Sequence, residues 1–434
     1  MKKGKFILLL LGGILLFFVY RFFSDMPESI ESPVSEATTI QATLDATLPT
    51  SFQLIHTPSE SSSLSDESDK IPEVTFAGER LSEAKIGAFY FNHLSPEEQS
   101  LYRYFYDHVI AYHHTIEIGS YQFDKTTVHK VIKAMLYDSP ELFWLSESYH
   151  FYTKGSDVVV RIEFAAEEKE TIERALLEIN AIAEVWIQYA NTFATDYEKV
   201  KFVYEEIIQN TDYVLESENN QDIRSVFLHK ESVCAGYAKA FQYMLDRMGI
   251  YNLFVSGKII TGNLHAWNMV RLDDTYYWVD VTWGDPVFPS ESKNDGSTSY
   301  NYLFITDDEI FRTHVPVFDY SGEIAPFFTL PECHSTDYDY YRLFENYMDA
   351  FDYDSILNDI VEGYWAGDAY FMVKCASKEL WEQIRAEISE GTLLSDVYKQ
   401  INDGYQSPGM LTSFFYDDKM YTIKMILFSE PSES

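Results

Sequence analysis

The stretch from residue 232 to residue 286 constrains this chain more than any other. It opens on Ser232-Val233-Cys234-Ala235-Gly236-Tyr237. From there Tyr237, Ala238, Phe241, Met244, Leu245 and Met248 keep a helical period as far as Gly249, a natural helix stop. Two segments of alternating character come next, residues 264–270 and 278–286. Between them Arg271-Leu272-Asp273-Asp274-Thr275 reads as a hairpin turn. If Asp273-Asp274 is a two-residue turn, Leu272 pairs with Thr275 and Trp267 stands opposite Asp280. His265 and Asp280 then share a face as diagonal neighbours, roughly 7–8 Å apart at the backbone. A slip of one residue would send them to opposite faces. Asp-Asp suits the positive φ of such a turn less well than Asp-Gly.

This pattern places a cysteine at a helix start, then a histidine and an aspartate on neighbouring strands. Unpaired amides and the positive dipole end of a helix stabilise a thiolate. Cys234 is therefore the candidate nucleophile. His265 would take its proton and return it to a leaving group, and Asp280 would hold the imidazole tautomer. Such machinery attacks a carboxamide or peptide carbonyl and passes through a thioester. An oxyanion donor is also needed, and the backbone amide of Cys234 is one candidate. Asp285 competes with Asp280, but it precedes Pro286 and reads as a turn start. Tyr237, Trp267 and Trp283 are candidates for the cleft lining and equally readable as core. The plain alternatives are a buried structural thiol at Cys234 and a satisfied core histidine at His265.

The segments Val233-Cys234-Ala235-Gly236-Tyr237-Ala238, His265-Ala266-Trp267-Asn268 and Asp280-Val281-Thr282-Trp283 closely resemble bacterial proteins of the transglutaminase-like superfamily, relatives of papain-type cysteine peptidases. The resemblance covers residues 196–334 and implies that Cys234, His265 and Asp280 form a triad. It implies an α+β papain-like core, with the cysteine helix packed on an antiparallel sheet that carries the histidine and the aspartate. It also makes Gln221 similar to a glutamine upstream of the cysteine in related sequences, hence a second oxyanion candidate. Asp138-Ser139-Pro140-Glu141-Leu142-Phe143-Trp144 and Tyr302-Leu303-Phe304 look like flanking segments of bacterial members. Asp274 departs from the pattern, standing where a glycine is expected. Some members bind calcium, but no calcium-loop pattern occurs here. The proposed chemistry requires no cofactor, and no His/Cys spacing reads as a zinc site.

The rest of the chain supplies context. Lys2, Lys3 and Lys5 precede an apolar run over residues 6–20, so residues 1–23 read as a membrane anchor with a cytoplasmic N-terminus or as a cleaved secretory signal. Either exports the remainder of the chain. Of the 52 residues 24–75, 33 are Ser, Thr, Pro, Asp or Glu, too polar to offset the entropy of ordering. They read as a tether. Residues 76–195 form an accessory α+β domain, with helices at 96 onward, 123–136 and 167–189 and a strand at 156–164. A further helix spans 196–208, with Val200, Val203, Tyr204, Ile207 and Ile208 on one stripe. Residues 335–434 form a second accessory α+β region, with strands near 370–374 and 421–428 and a helix near 378–388.

Composition excludes other classes. With 69 acidic against 32 basic residues the net charge is −37, which argues against nucleic acid as a partner. Three cysteines are no disulfide framework; a pairing of Cys333 with Cys375 stays open. His113, His114, His314 and His334 show no partner spacing and read as structural or surface residues. The expectation is a membrane-tethered extracellular cysteine-dependent enzyme acting on amide bonds of proteins or peptides, with hydrolysis favoured over Gln–Lys crosslinking. Its rival is a noncatalytic envelope binding or scaffold protein that keeps the fold.

Overall fold

Thr195 and Glu198 close a capping box at the head of the helix Asp196–Asn210, where each side chain satisfies a backbone donor of the other. The expected stripe of Val200, Val203, Tyr204, Ile207 and Ile208 is buried throughout. The computed structural model describes residues 88–113, 115–118, 123–154, 157–164, 169–285, 298–316, 327–402 and 412–427. The expected anchor (1–23) and tether (24–75) lie outside these residues. Among the described residues no helix is long and apolar enough to cross a membrane.

The central element is a five-stranded antiparallel sheet. Its strands run in the order His314–Pro316, Asn252–Ile259, Leu264–Leu272, Thr275–Val279 and Leu303–Ile305. The Cys234 helix, Cys234–Arg247, packs on it and is tied to it by Asn268, whose amide donates to the Ala238 carbonyl at 3.0 Å. Trp267, Trp278 and Tyr277, all on strands of this sheet, are fully buried. Each contributes on the order of 1.5–3 kcal/mol by leaving water.

The hairpin has the register that the turn argument requires. Leu272 pairs with Thr275 and Asn268 with Val279. Asp273 and Asp274 carry φ values of 47° and 62°, the left-handed pair of a type I′ turn, whose twist matches that of the strands. The second strand stops at Val279, earlier than the alternation over 278–286 suggests. The Asp280 carboxylate accepts the Trp283 N–H at 3.1 Å and folds residues 280–283 into a turn.

Before this core lie a three-stranded sheet and the helices Pro96–Ile110, Lys125–Asp138 and Lys169–Ala190. Their buried apolar residues belong to the same cluster as those of the central sheet. Tyr137 joins the two through its hydroxyl contact with Ser256 at 2.6 Å. The region after 335 builds a four-stranded sheet with the helices Tyr353–Ala366, Lys378–Glu390 and Leu393–Asn402 around a separate apolar cluster. Cys333 and Cys375 are both buried free thiols, which closes the question of their pairing. Burial pushes the Cys375 thiol up to about 12.

Candidate active site

Cys234 is the first residue of its helix, with Val233 as cap. Its sulfur is therefore beside the unpaired amides of the first turn. Gly236 explains why the sequence can start a helix here. A Cβ at that position would lie 2.1 Å from the Ser232 hydroxyl, 2.4 Å from that of Ser225 and 2.8 Å from the Asn220 carbonyl. The missing side chain lets the turn around residue 220 seat against the helix start. That turn is fastened by Val233 N–H donating to Asn220 C=O at 3.0 Å and by the Ser232 hydroxyl donating to the same oxygen at 3.1 Å. Gln221, half-buried, is the next residue in this turn.

His265 Nε2–H donates to Asp280 Oδ2 at 2.6 Å, and Cys234 is close enough to act on the same ring. With Nε2 engaged by the carboxylate, Nδ1 is the nitrogen left for the sulfur. Burial opposes a charge on this imidazole, but the Asp280 carboxylate, aided by Cys234, outweighs it and holds His265 up at about 10, against an ordinary 6.5. Asp280 is fully buried, which would raise it, yet its two imidazole partners hold it well below the usual carboxylate range.

A second imidazole shares that carboxylate. His314 Nε2–H donates to Asp280 Oδ2 at 3.0 Å, and its Nδ1 lies 2.7 Å from the Thr313 hydroxyl. The sequence reads His314 as a structural or surface residue with no partner spacing; it is buried and bonded to the Asp280 carboxylate. Local spacing could not have found it, because it lies 34 residues from Asp280 and arrives on the far edge strand. His265, Asp280 and His314 hold their ligand-type atoms within 4.8 Å of one another. Two Nε2–H groups on one oxygen at hydrogen-bond lengths make this a proton network.

The remaining candidates separate. Trp283 is half-exposed, its ring 5.9 Å from that of His265, and it stays a cleft candidate. Trp267 is fully buried behind His265 at 5.8 Å. Tyr237 is also fully buried and donates its hydroxyl to Thr211 C=O at 3.0 Å and Asp285 Oδ2 at 2.7 Å. These two are core side chains, and Asp285 serves Tyr237.

The helix-and-sheet scaffold thus carries a thiol at a helix start and an imidazole bonded to a buried carboxylate. Residues 184–282, which contain all three groups, match the family model of the Transglutaminase-like superfamily, and the chain carries a transglutaminase-like superfamily domain. The kyphoscoliosis peptidase of Mus musculus is 24% identical over 156 residues, 32% of this chain and 22% of that protein. The chain thus spans about a fifth of that relative's length. Among solved structures it is similar to a TGase at 15% identity, with TM-score 0.25, covering 43% of this chain and 56% of the other. It is also similar to the periplasmic domain of TgpA from Pseudomonas aeruginosa at 17% identity, with TM-score 0.21, covering 29% and 53%.

Proposed function

We propose that this chain is a cysteine-dependent acyl-transfer enzyme acting on amide bonds of proteins or peptides, held outside the cell by its N-terminal segment. The observation that supports this reading is the 2.6 Å bond between His265 and Asp280, with Cys234 at a helix start and acting on the same imidazole. With His265 already carrying the proton, the Cys234 sulfur attacks the carbonyl carbon. The amide C–N bond breaks, the leaving amine takes the imidazolium proton, and a thioester remains. Water then attacks the thioester, giving one proton to His265, and the Cys234 sulfur is expelled; the acid product gives its other proton to solvent and leaves as a carboxylate. An amine in place of water gives transfer instead. The backbone amide of Cys234 and the Gln221 side chain are the oxyanion donors in this reading. Hydrolysis is favoured over Gln–Lys crosslinking, and no nucleic acid takes part.

A peptide library incubated with the full chain, with and without a primary amine, tests the proposal by mass spectrometry. Cleavage, deamidation and amine incorporation give distinct mass changes. Any of them, absent in Cys234→Ala, supports the reading. An unchanged library, with Cys234 alkylated no faster than a free thiol, would favour a binding or scaffold protein.

A further inference from the structure

We propose that His314 is a positioning residue for this site, a neutral imidazole that occupies the second acceptor direction of Asp280 Oδ2 and so aims the carboxylate at His265. The inference rests on the acyl-transfer reading above and assigns a role to a residue that the triad does not include.

The geometry carries it. His314 is 1% exposed and walled by aromatic rings: Trp283 at 4.7 Å, Trp267 at 4.8 Å and Tyr302 at 5.6 Å between centroids. Gly257 makes this enclosure possible. A Cβ there would lie 2.5 Å from the Trp267 ring and 2.4 Å from the Val315 carbonyl oxygen, so only a bare backbone lets Trp267 reach across to the edge strand. The titratable groups facing His314 are Asp280, His265 and, through Thr313, the Tyr302 hydroxyl. The carboxylate at Nε2 and the Thr313 hydroxyl at Nδ1 hold the ring from both edges.

The two imidazoles then have different duties. Two cations on one buried carboxylate would leave a net buried charge, which is costly. Burial pushes His314 down while Asp280 holds His265 up, so the charge resides on His265. Three N–H groups converge on Asp280: two imidazoles on Oδ2 and the Trp283 amide on Oδ1. Without His314 the carboxylate keeps two donors, gains freedom to rotate and concentrates more of its charge on His265.

The test uses the full chain labelled with 15N-histidine, together with the iodoacetamide rate of Cys234 between pH 5 and 10. In the native chain the His314 ring stays neutral as the Nε2–H tautomer across this range. His314→Phe should move the His265 titration upward and lower kcat roughly tenfold or more, with KM little changed. His314→Gln, which keeps an N–H donor, should recover most of the rate. If His314→Phe does not fold, Thr313→Val carries the test. It removes the contact that holds Nδ1 and should shift the His265 titration and slow alkylation. Titration of His314 near an ordinary histidine value, or variants that leave the His265 titration and the alkylation profile unchanged, would overturn the proposal. The ring titrations need no turnover, so a chain that proves noncatalytic still decides the role of His314 separately from the acyl-transfer reading.

Discussion

His265 and Asp280 lie 15 residues apart in the chain and 2.6 Å apart in space, and their pairing makes the core's stability depend on pH. His265 is raised to about 10. A group raised in the folded state contributes stability that is complete below its unfolded value and lost as pH climbs through the folded one. Asp280 is depressed, so the same pair weakens again as pH falls through its folded value. The expected profile is a plateau near neutrality, with a loss between about pH 7 and 10. Urea midpoints at intervals across that range should fall in the native chain and vary far less in His265→Gln. A native profile as flat as that of the variant would refute a charged His265.

The pairing itself depends on the turn formed by Asp273 and Asp274. Both are left-handed, a conformation that is strained for a side-chain-bearing residue and free for glycine. Asp274→Gly should therefore stabilise the hairpin by about 0.5–1 kcal/mol, seen as slower amide exchange along Leu264–Leu272 with the register intact. Asp274→Val should do the reverse and lower activity by disturbing the strand that leads to Asp280. Faster exchange in the glycine variant would show that another contact sets the register.

Gly236 offers a test in which the usual sign is inverted. Glycine to alanine inside a helix ordinarily stabilises by about 1 kcal/mol. Here the added Cβ meets two hydroxyls and the Asn220 backbone oxygen within 2.8 Å. Overpacking of this kind costs roughly 1–3 kcal/mol, and the turn carrying Gln221 must withdraw. Gly236→Ala should lower the denaturation midpoint and reduce turnover, while Cys234 stays alkylatable. A more stable and fully active variant would mean that the turn does not serve the site.

These residues also show what was readable in advance. The Cys234 helix and the hairpin register were legible because both are local: a period of 3.6 ended by glycine, and a period of 2 folded back across two turn residues. The resemblance pointed to the same core, and residues 184–282 match its family model. His314 was not legible, since an edge strand joins the sheet through tertiary pairing that leaves no spacing signal. Residue type could not place Trp267, Trp283 and Tyr237, because an aromatic ring suits a core and a cleft equally well. The alternation over 278–286 overran the strand because a carboxylate that caps a backbone N–H ends it. The helix Tyr353–Ala366 was missed, its apolar period blurred by interspersed acidic and aromatic residues.

Lys374 gives the last prediction. It lies on the strand Tyr370–Cys375 of the C-terminal sheet, almost fully buried, with its ammonium 2.5 Å from Glu309 and 2.6 Å from Asp339. Burial alone would lower its pKa, but the two carboxylates hold it up, and Glu309 is held down in return. Glu309 belongs to the short helix Asp307–Ile310, just before the edge strand that delivers His314. The clamp thus joins the C-terminal sheet to the segment leading into the site. Lys374→Ala leaves two buried acids without their cation, a change that typically costs about 3–5 kcal/mol. Limited proteolysis should then release the C-terminal region at protease concentrations that leave the native chain whole. Lys374→Met combined with Glu309→Gln and Asp339→Asn removes all three charges and should recover most of the loss. A Lys374→Ala chain as resistant as the native one would show that the apolar contacts and the Asn301–Asp417 and Asn301–Thr422 hydrogen bonds suffice to dock this region without the ion cluster.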